Sequence, residues 1–334
     1  MTWEVKTGHT IEELAKLEPG SVQSCITSPP YWGLRDYGDK GQQWPAVSYA
    51  PMPGLSLLEI PEQVAALGLE PDPAAYVGHL VEVFRAVRRV LRDDGTLWLN
   101  LGDSYGGGHG GNKTNSAKQQ SSAGTQMEPR KGCGMAKQLV GIPWRVAFAL
   151  QADGWYLRSD IIWHKPNPMP ESVTDRPTKA HEYLFLLTKS ARYFYDADAI
   201  REKASGRASG KHTPDRATST GDVKFQTRGG FEKVGDVEWH HRNRRSVWTI
   251  ASRPYSGAHF AVMPPGLVEP CIKAGSRIGD RILDPFSGAG TTGLIAKRLR
   301  RDYIGTEQSE KYAEISRRRI EGDSPLFNRQ EIGR

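Results

Sequence analysis

The segment Thr27-Ser28-Pro29-Pro30-Tyr31-Trp32 brings together residue types that could act on an amino group attached to an aromatic ring. Two consecutive prolines fix φ and remove two backbone N–H donors, so this stretch presents carbonyl oxygens. The hydroxyl of Ser28 is a further acceptor, and the ring of Tyr31 offers a flat face for a base. Such an amino nitrogen is a poor nucleophile because its lone pair is delocalised, and two acceptors on its N–H bonds would expose that pair. The segment therefore suits in-line transfer of an electrophilic group to a base that has left its duplex.

The Pro-Pro segment alone could be a rigid structural turn, and a second motif favours the interpretation that it is an active site. It reads Asp284-Pro285-Phe286-Ser287-Gly288-Ala289-Gly290-Thr291-Thr292-Gly293 and contains G-x-G-x-x-G between a predicted strand and a predicted helix. Glycines allow a tight turn and let a nucleotide approach the helix N-terminus closely. Glu307 ends the next predicted strand, where a carboxylate can accept hydrogen bonds from two ribose hydroxyls, although alone it could equally be a surface acid. The missing Gly-Lys-Ser/Thr excludes a P-loop.

The number of strands around this glycine motif indicates which nucleotide it takes. An NAD site usually continues into further strand–helix units, whereas here we predict only two strands before Arg334. The other strands of the sheet must then come from the N-terminal half. We therefore expect a permuted order, with the catalytic half first and the cofactor half last, and we favour an adenosyl methyl donor over a dinucleotide.

The hydrophobic pattern predicts an α/β fold, a mixed sheet with helices on both faces. Residues 33–73 are expected to be loop-like, and the Gly/Ser/Gln/Lys-rich residues 102–136 a mobile loop. Thr10 is the predicted N-cap of the first helix. The predicted helices are 11–17, 74–91, 137–153, 262–274, 291–300 and 311–320, and the predicted strands are 22–27, 96–101, 156–163, 183–188, 281–284 and 303–305, with 156–163 and 183–188 antiparallel.

Residues 201–245 have no sustained periodicity and carry much of the net charge of +7, with 11 Lys/Arg against 6 Asp/Glu. A local basic excess is what a polyanion partner needs, although a solvated basic loop would have the same composition. We expect a target-recognition insert here, between a catalytic half at 1–200 and a cofactor half at 246–334 of one domain. The candidate contacts to DNA are Arg242, Arg244 and Arg245.

Other polar and aromatic residues are weaker candidates. Asp103 could line the pocket or cap the end of a strand. His240-His241 has no matching acid or cysteine cluster, so we assign it to the basic surface and predict no metal site. Trp239 and Trp248 could stack on bases, but core packing is the more conservative interpretation.

Composition narrows the class of protein. The chain has 334 residues, is 37% hydrophobic and 25% charged, and is typical of a globular protein. No apolar run approaches the roughly 18 residues that cross a bilayer, and the first residues lack the apolar region of a signal peptide. Three widely separated cysteines, Cys25, Cys133 and Cys271, predict neither a zinc site nor a disulfide framework. We therefore expect a cytoplasmic protein.

In these motifs and their order, the chain resembles the β-class DNA amino-methyltransferases, which make N4-methylcytosine or N6-methyladenine. The resemblance covers most of the chain except 33–73, 105–135 and 201–245. It implies that the mixed sheet is a Rossmann-like methyltransferase sheet in permuted order. It also implies S-adenosylmethionine as cofactor and double-stranded DNA as partner, and it leaves a cognate restriction endonuclease and a homodimer open. It also implies a catalytic loop of Ser28, Pro29, Pro30 and Tyr31, and a cofactor site of Thr27, His259, Phe260, Asp284, Pro285, Phe286, Gly288, Gly290, Thr291 and Glu307. Gly8-His9 stands where the family often has Gly-Asp, so the interaction with adenine is either missing or made by histidine.

Serine at the first position of the catalytic motif, after threonine, is the form that the N4-cytosine enzymes favour, whereas aspartate favours N6-adenine. We predict methylation of the cytosine N4 and keep N6-adenine as the alternative, because both side chains can accept from an amine. A methyltransferase for RNA or for a protein amide is more distant, since an Asn-Pro-Pro-Tyr loop would be expected there. An NAD-dependent oxidoreductase and a DNA-binding protein with a decayed fold remain as rivals. Saturable binding of the sulfonium cofactor would separate both from the enzyme.

Overall fold

The computed structural model describes residues 1–33, 41–106, 136–203, 241–252 and 262–323. The chain divides into two compact units, one formed by Met1–Asp196 and Arg245–Arg334 and the other by Ala197–Arg244. Some of the predicted features lie outside the described residues. These are most of the loop at 102–136 and of the segment at 201–245, together with Cys133, Trp239, His240, His259 and Phe260.

An eight-stranded mixed sheet forms the centre of the first unit. Its strands are β1 (Trp3–Thr7), β2 (Val22–Thr27), β7 (Leu91–Leu101), β8 (Tyr156–His164), β9 (His181–Thr188), β12 (Val247–Thr249), β13 (Arg281–Asp284) and β14 (Asp302–Glu307). They are arranged in the order β1-β14-β13-β2-β7-β9-β8-β12. The first five are mutually parallel, β9 is antiparallel to both of its neighbours, and β12 is parallel to β8.

In the described part of the chain, six helices accompany this sheet: α1 (Thr10–Ala15), α2 (Pro73–Val90), α3 (Ile142–Ala152), α4 (Pro265–Gly275), α5 (Thr291–Arg298) and α6 (Glu310–Glu321). Helices α1, α2 and α3 pack on one another in sequence, and α4, α5 and α6 form a second such group. No helix among the described residues is long and apolar enough to cross a membrane.

The pairing of β2 with β13 decides where the two sequence motifs lie. All six residues of β2 are buried, as expected for a strand covered on both faces. Ser24 of β2 pairs with Ile282 of β13, and Cys25 pairs with Leu283, in parallel. The carboxyl ends of parallel neighbours meet at one edge of the sheet, where open α/β sheets bind ligands. The segment after Thr27 and the segment after Asp284 therefore leave the sheet side by side.

Most of the predicted elements are confirmed, including the antiparallel pairing of β8 with β9. Helix α2 begins at Pro73, where Asp72 caps it by accepting from the Ala75 N–H at 2.9 Å. Strand β7 begins at Leu91, well before the predicted residue 96, because Leu91 already pairs with Val22 of β2. The predicted start of this strand at residue 96 is therefore wrong, since Asp93, Asp94 and Gly95 lie within the strand.

The predicted cap of the first helix is also wrong. The N-cap of α1 is His9, whose Nδ1 accepts from the Ile11 N–H at 3.2 Å. The Thr10 hydroxyl donates instead to the carbonyl of Pro285 in the glycine motif. The Thr10 side chain therefore makes a tertiary hydrogen bond instead of the local helix cap that its sequence position predicted.

The interval 33–73 is less irregular than its sequence indicated. It contains the short strands β3 (Gln42–Trp44), β4 (Val47–Tyr49), β5 (Leu58–Ile60) and β6 (Gln63–Ala65). β3 pairs with β6 and β4 with β5, both antiparallel. Three-residue strands are too short to show a period of two, which is why the pattern missed them. The edge strands β1 and β12 were missed as well.

The second unit contains a short 3₁₀ helix at Asp198–Ile200 and an antiparallel pair, β10 (Glu202–Lys203) with β11 (His241–Arg242). Arg242 Nε donates to Glu202 Oε1 at 2.7 Å across this pair.

Candidate active site

A buried hydrogen bond joins the two motifs directly. Thr27 Oγ1, at the end of β2, donates to Asp284 Oδ1, at the end of β13, at 2.7 Å, although the two residues are 257 positions apart. Thr292 Oγ1, in the first turn of α5, donates to the Ile26 carbonyl at 3.3 Å. The Ser-Pro-Pro-Tyr segment and the glycine motif therefore form one site.

The Asp284 side chain is an acidic group in an apolar setting, because the residue is only 2% exposed. Burial raises its pKa from 3.8 to about 6, while hydrogen bonds from Thr27, Thr292 and the Phe286 N–H oppose the rise. The Phe286 N–H lies 3.1 Å from Asp284 Oδ1 and holds the start of the loop against the strand. This carboxyl group titrates close to neutrality, so its charge depends on pH in the working range.

The glycine motif turns by two residues in the left-handed region. Gly288 has a φ of +51° and Gly290 a φ of +75°, values that favour glycine. A Cβ on Gly290 would lie 2.4 Å from Ser316 Oγ of α6, so this position has no room for a side chain. Gly290 is the N-cap of α5 and supplies no side-chain cap, so the first N–H groups of the helix have no partner within the helix.

Glu307 lies at the end of β14, beside this turn. Its Oε2 accepts from the Gly288 N–H at 2.8 Å and its Oε1 from the Ser309 N–H at 3.1 Å. The carboxylate is thus held at the surface of the glycine turn, at the position that the sequence predicted for a ribose-binding acid.

The residues at this edge fit an adenosyl group. Among the described residues, a Cβ on Gly288 would meet only the Phe286 carbonyl oxygen, at 3.8 Å, so this part of the chain leaves open space next to the Glu307 carboxylate. Strand β1 pairs with β14 on the side away from β13. Gly8 and His9 follow the end of β1, and the Gly8 N–H donates to the Glu307 carbonyl at 3.0 Å. Burial lowers the pKa of His9, so the ring is neutral at pH 7.

His9 also carries an unsatisfied donor. Because Nδ1 accepts from Ile11, the ring proton of the neutral form is on Nε2. Nε2 is buried and has no hydrogen-bond partner in the described part of the chain. A buried polar atom without a partner is costly, and a purine ring nitrogen is an acceptor that would satisfy it.

On the other side of the site, the Ser28 hydroxyl begins a chain of hydrogen bonds. Ser28 Oγ donates to the Tyr31 hydroxyl at 3.2 Å. The Tyr31 hydroxyl lies 3.0 Å from Asn100 Oδ1 and 2.7 Å from Glu182 Oε2, both of which accept. Within the described residues Ser28 Oγ accepts no hydrogen bond, so its lone pairs are available.

The two proline carbonyls are not equivalent. The Pro30 carbonyl accepts from the Tyr76 hydroxyl of α2 at 2.8 Å, whereas no described residue donates to the Pro29 carbonyl. Trp32 is only 2% exposed and donates from Nε1 to the Glu70 carbonyl at 3.1 Å. Trp32 therefore anchors the loop in the core, and Tyr31 is the half-buried aromatic ring next to Ser28.

Sequence reasoning missed Asn100, Glu182 and Tyr76. The first two lie on neighbouring strands, β7 and β9, where Asn100 pairs with Leu184. A signal was present, because Asn100 interrupts the apolar run at 97–101 of β7 and Glu182 directly precedes the apolar run at 183–187 of β9. Strand order was needed to show that both reach Tyr31.

Gly102 sets the position of the Tyr31 ring. A Cβ on Gly102 would lie 2.6 Å from Cε2 and 2.7 Å from Cδ2 of Tyr31. We expect Gly102→Ala to displace the ring and to slow methyl transfer about 10²-fold, the cost of a misplacement near 1 Å, with unchanged affinity for S-adenosylhomocysteine. Single-turnover kinetics and a binding titration measure the two quantities. The control is Gly266→Ala, whose Cβ would make an ordinary 3.5 Å contact with Ile250, and equal rates for both variants would contradict the role of Gly102.

Some predicted candidates have other functions. Asp103 Oδ1 accepts from the N–H groups of Ser104, Gly141 and Ile142, at 2.9, 3.0 and 2.9 Å. It caps the start of α3, which is the structural interpretation of this residue. Trp248 is buried, at 4% exposure. Cys25 and Cys271 are buried free thiols, and no group of three or more metal-ligating side chains occurs among the described residues.

A parallel sheet with one antiparallel strand, a glycine turn after one strand and a carboxylate at the end of the next define a Rossmann-like methyltransferase. Comparison with known proteins makes the class more specific. The N6/N4 DNA methylase family matches residues 22–318 of the chain. The chain belongs to this family of S-adenosylmethionine-dependent DNA methyltransferases.

Two bacterial type II methyltransferases are similar to the chain over most of its length. The chain is 42% identical over 317 residues to the type II methyltransferase M.Cfr9I of Citrobacter freundii, covering 95% of this chain and 87% of that protein. It is 41% identical over 317 residues to M.SmaI of Serratia marcescens, covering 95% and 90%.

Solved structures share the fold. The PvuII DNA methyltransferase, which is cytosine-N4-specific, has a TM-score of 0.59 at 17% identity, over 96% of this chain and 86% of that chain. A Thermus thermophilus protein in complex with S-adenosyl-L-methionine has a TM-score of 0.56 at 21% identity, over 98% and 96%.

Proposed function

We propose that this DNA methyltransferase transfers the methyl group to the exocyclic N4 of cytosine. The observation that carries the proposal is the Ser28 hydroxyl, a neutral acceptor whose own proton is directed to Tyr31 at 3.2 Å. Serine at this position is the form favoured by the N4-cytosine enzymes of the family that the chain resembles. The cytosine-N4 specificity of the PvuII enzyme, whose fold is similar, supports the same choice.

In this proposal the chain prepares the amino group for attack. Ser28 Oγ and the Pro29 carbonyl accept the two N–H bonds, which draws the nitrogen towards sp³ geometry and exposes its lone pair. Tyr31 stacks on the extruded base, and Pro30, held by Tyr76, keeps the loop rigid. When bound, the cofactor supplies an electrophilic methyl group. The contribution of the protein is mainly orientation.

The proposed cofactor residues surround the glycine turn. Glu307 would accept from the ribose hydroxyls and His9 would donate to adenine. The remaining members of the set are Thr27, Asp284, Pro285, Phe286, Gly288, Gly290 and Thr291, together with His259 and Phe260, which lie outside the described residues.

We propose that residues 201–245 form the target-recognition insert, between the two halves of the domain. Arg242→Ala, Arg244→Ala and Arg245→Ala together should weaken DNA binding at low salt, because each phosphate that is no longer neutralised takes about 0.9 from the slope of log K against log salt. Fluorescence anisotropy with duplex DNA over a salt series measures that slope. The control removes three exposed arginines elsewhere, Arg192, Arg277 and Arg318. A slope that stays the same in the insert variant would move the DNA surface to another part of the chain.

The test of the proposed function is methylation mapping. The chain is expressed in a bacterial host that lacks other modification enzymes, and the host DNA is sequenced for modified bases. N4-methylcytosine in one sequence context is the expected result. N6-methyladenine would refute the cytosine assignment, and unmodified DNA would refute the activity itself.

Three further features belong to the proposal. A cytoplasmic location fits an enzyme that acts on chromosomal DNA. A cognate restriction endonuclease fits the type II relatives; a nuclease that cleaves unmodified DNA but not DNA methylated by this chain would be that partner. The oligomeric state, with a homodimer as the alternative to a monomer, is measured by sedimentation.

A further inference from the structure

The hydrogen-bond chain from Ser28 ends on the Glu182 carboxylate, which can only accept, so every hydroxyl in the chain donates towards Glu182. Tyr31 has one hydroxyl proton and two acceptors, Glu182 Oε2 at 2.7 Å and Asn100 Oδ1 at 3.0 Å. The shorter bond to a charged acceptor is the stronger one, so Tyr31 donates to Glu182. The Tyr31 oxygen then accepts from Ser28, and the lone pairs of Ser28 remain for a substrate.

Neighbouring strands hold Glu182 in place. Lys165 Nζ, just after β8, donates to Glu182 Oε1, and the same ammonium lies 4.3 Å from the centroid of the Trp163 ring. Asn100 Nδ2 lies 3.4 Å from Glu182 Oε2. The Lys165 and Glu182 side chains are only 20% and 15% exposed. The Glu182 carboxylate is therefore partly desolvated and contacts the catalytic loop through Tyr31, and its ion pair with Lys165 is not a fully exposed surface pair.

We propose that Glu182 is a positioning residue for methyl transfer, and that it takes up, through Tyr31 and Ser28, the proton that the amino nitrogen loses. The inference rests on the proposed function. As the N–CH₃ bond forms from the nitrogen lone pair, the S–CH₃ bond breaks and sulfur keeps its electron pair. The excess proton passes from nitrogen to Ser28 Oγ, the Ser28 proton passes to Tyr31, and the Tyr31 proton passes to Glu182 Oε2. Solvent then receives it from the partly exposed Glu182.

Other titratable groups lie around Glu182, and a pH experiment must separate them. They are Tyr31, His164, Lys165, Lys179 and His181. Burial lowers the pKa of both Lys179 and His181, and the charge of Glu182 opposes each shift. Asp284, beneath the loop, titrates near 6. Glu182→Gln keeps these groups but removes the charge that opposes the pKa shifts of Lys179 and His181. Lys179→Met and His181→Gln are therefore measured over the same pH range; both keep Glu182 and should retain the pH dependence of wild type.

The test compares wild type with Glu182→Gln in single-turnover methyl transfer to unmethylated bacterial chromosomal DNA, from the lowest pH at which wild type stays folded to the alkaline side of neutrality. We expect wild type to be about 10²-fold faster where Glu182 is a carboxylate, the usual contribution of a proton acceptor, and the ratio of the rates to fall towards one where that carboxylate is protonated. Affinities for DNA and for S-adenosylhomocysteine should not change. A ratio that is independent of pH, or close to one throughout, would overturn the proposal.

Two further variants separate this role from a structural one. Tyr31→Phe should match Glu182→Gln in rate, and the double variant should be no slower, because both interrupt one chain. Glu182→Gln leaves the Lys165 ammonium without its carboxylate, and adding Lys165→Met removes that charge. The combined variant should recover thermal stability but not the rate of methyl transfer. Recovery of both would mean that the ion pair only stabilises the strands. Glu82→Gln, in an ion pair with Arg85 on α2, is the matched control. If wild type methylates no amino group, the proposed function fails rather than this inference.

Discussion

Ser28→Ala is expected to slow methyl transfer about 10³-fold, the upper range for removal of one oriented hydrogen-bonding group. The serine supplies one of the two acceptors for the amino group, and alanine leaves the Pro29 carbonyl alone to draw the nitrogen out of conjugation. Affinity for S-adenosylhomocysteine should stay the same, because the buried link between the two motifs is made by Thr27 and Asp284 at 2.7 Å.

Single-turnover kinetics and a binding titration measure the rate and the affinity for Ser28→Ala. The matched control is Ser48→Ala, which removes a hydroxyl whose hydrogen bond to Glu59 is exposed, on the β4–β5 hairpin. The control should retain the full rate. A wild-type rate for Ser28→Ala would refute the assignment of the catalytic loop, and lost cofactor affinity would indicate a misfolded site.

The second large effect concerns stability. Asp284→Asn is expected to stabilise the protein at pH 7 and above by about 3 kcal/mol, because a pKa that is about two higher in the folded state than in the unfolded state costs the folded state that free energy once the group is ionised. Burial raises the pKa of Asp284 from 3.8 to about 6. Below pH 4 the Asp284 carboxyl is protonated in both the folded and the unfolded state, so it does not lower the free energy of unfolding. As the pH rises from 4 to 6 the unfolded chain releases its proton first, so the free energy of unfolding falls, and above 6 the loss is complete.

Urea denaturation over a pH series measures this prediction. The difference in free energy of unfolding between Asp284→Asn and wild type should grow between pH 4 and 6 and then level off. Asp160→Asn, at an exposed position, is the control for the substitution itself and should show no such rise. A constant difference would mean that Asp284 is not penalised by burial. The same variant should bind S-adenosylhomocysteine more weakly, since stability gained at a functional site commonly costs function.

Much of the fold was predictable because burial is periodic along the chain. Helix α2 has its apolar residues at helical spacing, and nearly all of them are fully buried. Residues 96–101 of β7, whose apolar sequence predicted a strand of a parallel sheet, are buried throughout. Both chemical motifs could be recognised locally, since glycines and prolines constrain the backbone wherever they occur. The short strands between 33 and 73 were not predictable, because three residues carry no usable period.

The sequence by itself determined the class of chemistry, namely a rigid acceptor loop around Ser28 and a glycine turn followed by Glu307. Only the tertiary structure decided which side chains act on those motifs. Thr10 leaves the helix cap for the Pro285 carbonyl, Thr27 reaches Asp284, and Glu182 reaches Tyr31 at 2.7 Å. The physical reason is that local patterns record which face of an element is buried, whereas these contacts depend on strand order and register, which the whole chain settles when it folds.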